Sequence, residues 1–436
     1  MTPLILHIAV NTIILPILTI VYGVLVLLSP KVREKFLSVR RSLDALPPQD
    51  STLRTVWFHA ASMGEFEQAK PVIEQLRHRK DTRVIVSFSS PSGYTTQRTY
   101  PFADAVIYLP FDQLRRMRRL VQRIRPDVFV CIRYDLWWNL LWTLGHAGVP
   151  VILLNATYTR SGILASWPFR IFYHHLLSMC TLVITANSRE AVRFQEAGIK
   201  AEIQTGSDTR YDRICRAVDT PEKKEHWFTE FASNNSLVLT LGSAWESDVA
   251  GIGVSDEWLA NNPDVRLIIA PHEVHESSLQ RWEELFPNCL RLTVLRSLSK
   301  RSPEGSREHT SEAVSHAVHT HCILVDTMGE LLSLYRYSHL AFIGGGFEAG
   351  VHSVAEAAAY GIPVACGPNT RNSPDVQLLE PHNGCRVLSH AEHFNTWIHS
   401  MRNSQERDAL GALNAQAIRF AGGSAQIAAN RIEGFL

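Results

Sequence analysis

From Arg54 onward the chain repeats one pattern: a short apolar run, a boundary of Gly, Pro, Asp or Ser, then an amphipathic stretch of helical period. Val56–His59, Val84–Ser87, Ala105–Tyr108, Val128–Ile132, Val151–Asn155, Leu182–Thr185 and Glu202–Gln204 read as successive strands, many of them β-branched. Helical patterns such as Glu65–Arg79 and Leu114–Arg125 lie between them. A second series follows at Leu237–Leu241, Arg266–Ala270, Ile323–Val325, Leu340–Ile343 and Pro363–Ala365. Strands in alternation with helices form a mostly parallel, doubly wound α/β sheet. The chain has 436 residues, too many for one core, so two Rossmann-like domains facing each other across a cleft are expected.

Composition shifts set the boundaries. Val218–Asn235 turns polar and charged, which makes 54–217 the first domain, 218–235 a linker and 236–436 the second domain. Ser297–Ala317 has few large apolar residues and reads as a mobile insertion. The last helical pattern, Ser404–Leu436, finishes the second domain and can cross back to the first.

The N-terminus differs in kind. Leu4 to Leu28 carries no formal charge and is mostly apolar despite His7, Asn11, Thr12, Pro16 and Thr19, so it is long enough to cross a bilayer. Lys31, Arg33, Lys35, Arg40 and Arg41 follow at once. This reads as a membrane anchor over 1–30 and a basic juxtamembrane linker over 31–53, with the remainder on the cytoplasmic side. The segment before Leu4 has no Lys or Arg, unlike the positive start of a cleaved signal peptide. A helix lying in the membrane plane is the other membrane option. With 43 basic and 42 acidic side chains, net charge gives no reason to expect nucleic-acid binding. Seven scattered cysteines without C-x-x-C spacing indicate neither a zinc site nor a disulfide framework.

Two turns carry the chemistry. In Trp57-Phe-His-Ala-Ala-Ser-Met-Gly-Glu-Phe-Glu67 a strand breaks on small residues and reopens as a helix with Glu65 at its start. Such a turn exposes N–H groups and a carboxylate at the sheet edge where α/β folds bind ligands. The competing reading is a capping box, Ser62 with Glu65 three residues on. In Ala341-Phe-Ile-Gly-Gly-Gly-Phe-Glu-Ala-Gly-Val-His-Ser-Val-Ala-Glu356 a strand runs into three glycines and then a helix opening near His352. Glycines let backbone approach a phosphate and a helix start supplies donors, although a tight structural turn has the same composition. No Gly-Lys-Ser/Thr follows, so this is not a Walker loop. An early G-x-G-x-x-G is also missing, which counts against a two-Rossmann oxidoreductase. Trp137, Trp138 and Trp142 fit packing of a helix against the sheet. Arg115, Arg116, Arg118, Arg119, Arg123 and Arg125 gather on one helix, either as a solvated face or as a patch for anionic headgroups.

In sequence order, these two turns, Gly206-Ser-Asp-Thr-Arg-Tyr-Asp212, Gly242-Ser-Ala-Trp-Glu246, Ala270-Pro-His-Glu273 and Gly361-Ile-Pro-Val resemble the Kdo (3-deoxy-D-manno-octulosonic acid) transferases of Gram-negative lipopolysaccharide synthesis. The resemblance runs from the anchor to about residue 390. It implies the GT-B fold, CMP-Kdo as donor, no catalytic metal or other cofactor, and the lipid A precursor (lipid IVA) as acceptor. It also implies an inverting glycosyltransferase at the cytoplasmic face of the cell inner membrane.

By the same resemblance Glu65 is the general base, and Ser62, Gly64, Arg133 and Asp135 belong to the acceptor side. Ser243, His272, Gly344, Gly345, Gly346, His352, Ser353 and Glu356 belong to the donor side. Ser353 stands where many members have Asn, and His272 where the family often has Arg-His. Ile132-Arg-Tyr-Asp-Leu-Trp-Trp-Asn139 keeps one carboxylate, Asp135, where many members have two acids, and Arg133 reverses the other charge. Two alternatives remain: a membrane-associated GT-B transferase or epimerase using a different nucleotide sugar, and a non-catalytic membrane scaffold, which the intact Glu65 and glycine turn count against.

Overall fold

Strands β1 (Arg54–Ala60), β2 (Thr82–Phe88), β3 (Ala105–Tyr108), β4 (Val128–Ile132), β5 (Val151–Ala156), β6 (Leu182–Thr185) and β7 (Glu202–Thr205) form one all-parallel sheet in the order β3-β2-β1-β4-β5-β6-β7. Strands β2, β4 and β5 are buried along their whole length, because helices cover both faces of the sheet. Alternation sorts the side chains of β1: Val56, Phe58 and Ala60 join the cluster under the helix Met63–Leu76, while Trp57 joins the opposite face with Ile85, Phe129 and Cys131. The computed structural model describes residues 3–158, 166–167, 169–220, 225, 228, 231, 236–300, 320–371 and 373–436.

The second sheet holds β8 (Leu237–Ala244), β9 (Val265–Pro271), β10 (Cys289–Arg291), β11 (Cys322–Leu324), β12 (Leu340–Ile343), β13 (Val364–Cys366) and β14 (Cys385–Val387), in the order β10-β11-β9-β8-β12-β13-β14. Its pairings are also parallel throughout. Both sheets are doubly wound, as the strand pattern implies. The edge strands β10 and β14 have no counterpart among the expected strands; each is three residues long and pairs on one side only, so little apolar sequence is needed to hold it.

The chain divides into one unit of Met1–Asp212 with Ala421–Leu436 and another of Arg213–Phe420. The expected second domain, 236–436, therefore loses its last residues to the first unit. After the helix Ser404–Ala421, Gly423 turns the chain at φ 91° and the helix Ser424–Glu433 begins. Ala428, Ala429 and Ile432 of that helix are buried in the cluster that contains Phe66 and Val72. Asp212 accepts the Gly423 N–H (2.8 Å) and the Ala425 N–H (3.2 Å), and the Ser207 N–H donates to Ser424 Oγ (2.7 Å). The Gly206–Asp212 motif thus holds the C-terminal helix in place.

Residues 31–53 are not a plain linker. Pro30–Asp44 is a helix whose N-cap Ser29 accepts the Val32 N–H, and Ser42 Oγ accepts the Tyr108 N–H of β3 at 3.0 Å. Most of the expected linker 218–235 and of the insertion Ser297–Ala317 lies outside the described residues; Phe228 and Phe231 pack in the second unit, and Leu292–Lys300 is helical. The apolar N-terminal segment is helical from Pro3 to Leu28, with a π turn at Val10–Ile14. Leu4–Leu28 is long and apolar enough to cross a membrane and fits a membrane anchor.

Candidate active site

In the first sheet β1 lies between β2 and β4, so the crossovers leave in opposite directions on either side of it. A crevice opens at the carboxyl ends of strands at such a point. Ser62, Gly64 and Glu65 follow β1, and Arg133 and Asp135 follow β4, so all five predicted residues come to this edge. Ser62 is the N-cap of the helix Met63–Leu76, yet its hydroxyl makes no capping bond. It donates instead to the Glu65 carboxylate. The capping box is therefore not formed, and the Ser62 hydroxyl orients Glu65. Gly64 is exposed, and among the described residues a methyl group there would meet only Ser62 Oγ at 3.8 Å. The protein itself leaves that space open.

Asp135 belongs to a second group on the same edge. His59 Nε2 bonds its carboxylate at 2.9 Å and Ser89 Oγ donates to it at 2.7 Å. His59 is fully buried, and its Nδ1 lies 2.9 Å from Ser87 Oγ. Burial alone would raise the Asp135 carboxyl, but the hydrogen bonds and charge of His59 and the Ser89 hydroxyl hold it below the ordinary carboxylate value. Lys35 reaches this group from the helix Pro30–Asp44 and donates to the Ser89 carbonyl. Burial lowers its ammonium, against the opposing charge of Asp135. Arg133 has a left-handed backbone (φ 64°), and its Nε is buried without a hydrogen-bond partner among the described residues.

The same unit holds a cavity of about 720 Å³ that takes in Pro110 and Phe111, which follow β3. Its apolar lining includes Tyr22, Phe36 and Phe111, and Arg40, Arg116 and Arg119 contribute charge. The anchor helix, the helix Pro30–Asp44 and the arginine-rich helix Leu114–Ile124 all contribute.

In the second sheet β8 lies between β9 and β12, and the predicted donor residues collect at the corresponding edge. Ser243 is the last residue but one of β8, where the pairing with β9 shifts register, and has a left-handed backbone (φ 50°). The three glycines follow β12, and a methyl group at Gly344 would come within 2.4 Å of the Ser243 carbonyl and one at Gly346 within 2.6 Å of the Gly367 backbone. Gly344 donates its N–H to the Gly242 carbonyl (2.9 Å) and Gly345 donates to Asp248 Oδ2 (2.8 Å). Asp248 also accepts the Trp245 N–H at 2.9 Å, and burial raises its carboxyl. Two of the turn's N–H groups are therefore engaged within the protein, and close backbone packing explains the glycines.

Side chains supply the polar surface of this edge. His272 stacks on His352 (4.4 Å between centroids) and on Trp245 (4.5 Å), while Trp245 Nε1–H donates to His352 Nε2 at 3.4 Å. Burial and the neighbouring His272 lower the His352 imidazole. Ser353 donates to Asp375 Oδ2 at 2.9 Å. The helix expected near His352 begins only at Ala355, so His352 and Ser353 lie on the approach and Glu356 in its first turn.

Sequence reasoning missed His59, Ser89, Lys35, Asp248 and the ring stack of Trp245. An acid three residues past Trp245 at a strand-to-helix turn is a readable signal for Asp248. Nothing local separates Lys35 from its basic neighbours.

Residues 31–213 match the family described as 3-deoxy-D-manno-octulosonic-acid transferase (kdotransferase). The chain is similar to the 3-deoxy-D-manno-octulosonic acid transferase of Haemophilus influenzae, 24% identical over 91% of this chain and 90% of that one. The Bordetella pertussis transferase of the same name is 26% identical over 73% of this chain and 72% of its own. Among solved structures, the UDP-GlcNAc 2-epimerase of Neisseria meningitidis bound to UDP-GlcNAc superposes with a TM-score of 0.61 at 13% identity, covering 87% of this chain and all of that one (100%). Anabaena HepE in complex with UDP gives 0.56 at 12% identity, over 88% and 99% of the two chains. These likenesses establish the GT-B fold. With that fold, residues 31–213 carry the domain of the 3-deoxy-D-manno-octulosonic acid transferase family, and glycosyltransferases of that name are similar to the chain along most of its length.

Proposed function

We propose that the chain transfers Kdo from CMP-Kdo to a hydroxyl of the lipid A precursor, lipid IVA, with inversion and with Glu65 as general base. The observation that carries this reading is the Ser62–Glu65 pair beside the open space at Gly64. The Glu65 carboxylate takes the proton of the acceptor hydroxyl as its oxygen attacks the anomeric carbon. The bond from that carbon to the CMP phosphate breaks, and the phosphate leaves with the electron pair.

Arg133 and Asp135 line the acceptor side, and the buried Arg133 Nε, unpaired among the described residues, suits an anionic group of the acceptor. The arginine-bearing cavity suits acyl chains capped by phosphate, which is the chemistry of a lipid A precursor. On the donor side the rings of His272 and His352, with Ser243, Ser353 and Glu356, meet the nucleotide and its phosphate. Gly344, Gly345 and Gly346 contribute by keeping that edge free of side chains. The catalytic domains belong on the cytoplasmic face of the inner membrane, where the anchor holds them beside a lipid acceptor.

Glu65→Ala tests the base. Transfer is expected to fall by about 10²–10⁴-fold, the usual contribution of a general base, while CMP binding measured by calorimetry stays close to wild type. Near-normal turnover would remove Glu65 from that role.

A further inference from the structure

The apolar N-terminal helix carries a polar stripe, and that stripe is occupied by the first unit. His7 stacks on Trp142 (4.0 Å between centroids) and accepts the Trp138 indole N–H at Nδ1 (3.0 Å). Asn11 and Asn139 exchange reciprocal amide hydrogen bonds, both of 3.0 Å. Gln113 donates to Thr19 Oγ1 (3.2 Å), and Tyr22 stacks on Phe111 (5.2 Å). Residues spaced by four drift about 40° per step around an α-helix. The π turn Val10–Ile14 takes up the drift, so that Leu6 before it, Val10 at its start and Leu15 after it are all buried against the domain. The opposite face, from Leu4 to Leu28, is a band of exposed Leu, Ile and Val.

Contacts from Leu6 to Tyr22 extend over about 24 Å of helix axis at 1.5 Å per residue, most of the roughly 30 Å hydrocarbon core of a bilayer. A helix crossing that core would carry its docked partners into it. The helix Leu114–Ile124, which lies just past Gln113, brings Arg115, Arg116, Arg118, Arg119 and Arg123. Each arginine drawn into the bilayer centre is costly, and several would enter it together. Undocking the helix instead would break the paired amides of Asn11 and Asn139, the latter fully buried.

We propose that residues 4–28 lie along the surface of an anionic membrane as an in-plane anchor, the polar stripe on the domain and the apolar band in one leaflet. The arginines flanking the band then sit at the depth of the phosphate headgroups, where each favours an anionic surface. The cavity beside Tyr22 and Phe111 opens at the same level, so a lipid can enter it from the leaflet. This placement concerns the anchor alone and holds whatever sugar is transferred.

Sidedness tests it. A short uncharged peptide with a protease site is added before Met1 and a second, distinguishable one after Leu436 of the full chain, expressed in a Gram-negative host. An in-plane helix keeps both peptides inside: external protease spares both in spheroplasts and cleaves both in inverted vesicles. Cleavage of the N-terminal peptide from outside spheroplasts, with the C-terminal one protected, would show a spanning helix and overturn the proposal. Recovery of the chain in the soluble fraction at low salt would overturn it as well.

Discussion

Asp112 and Asp135 lie on the same side of the first sheet and titrate in opposite directions. Asp112 accepts the N–H groups of Asn139 (2.9 Å) and Leu140 (3.0 Å) at the start of the helix Trp138–His146, yet burial pushes its carboxyl up to about 6 from 3.8. A carboxyl raised on folding adds stability that is complete below its unfolded value and is lost as pH rises through the folded one. Stability should therefore fall between pH 4 and 6 by about 3 kcal/mol on this account. Thermal unfolding against pH checks it, and Asp112→Asn should flatten that window. Asp135, held low by His59 and Ser89, loses its contribution only below about pH 4, as it protonates. Lys35→Met should raise the acceptor KM several-fold with CMP binding unchanged, and Lys35→Arg should restore most of the loss, since the charge beside Asp135 returns. Gly64→Ala should leave stability within about 1 kcal/mol, because space is free there, and raise the acceptor KM.

At the scale of elements, the central strands were legible because burial on both faces demands continuous apolar runs. Val128–Ile132, Leu182–Thr185 and Leu340–Ile343 have the same limits in sequence and structure, as does the apolar edge strand Ala105–Tyr108. Cys289–Arg291 and Cys385–Val387 were not legible, since each is only three residues long and mostly not buried, so neither writes an apolar run. The Ser62–Glu65 contact follows from a separation of three residues on one turn. The His59–Asp135 contact joins residues 76 apart and exists only through the pairing of β1 with β4. The glycine turn was legible as a turn, but its reason was not: the approach of Gly346 to Gly367 is a tertiary fact. Gly346→Ala should therefore destabilise the second unit by about 1–3 kcal/mol, the usual cost of overpacking, read as a lower unfolding midpoint.

Across the whole molecule, membrane, acceptor and catalytic edge meet, on the proposed reading, through the first unit. The anchor helix, the helix Pro30–Asp44 and the arginine-rich helix line one cavity, and Lys35 runs from the second of these to the Asp135 group. Replacing Arg116, Arg119 and Arg123 together by Gln should weaken binding to anionic vesicles by about 3 kcal/mol, near 1 kcal/mol for each charge, and flatten its salt dependence. The helix Ser424–Glu433 returns to the same unit, which the position of Ser404–Leu436 in the sequence allowed without requiring. The most direct measurement of the central claim is incubation of the membrane-bound wild-type chain with CMP-Kdo, generated in the assay, and lipid IVA, with UDP-GlcNAc in a parallel reaction, followed by mass spectrometry of the lipid and the sugars. The account predicts lipid IVA heavier by Kdo and release of CMP, with UDP-GlcNAc unchanged. Unmodified lipid together with epimerised or consumed UDP-GlcNAc would contradict it.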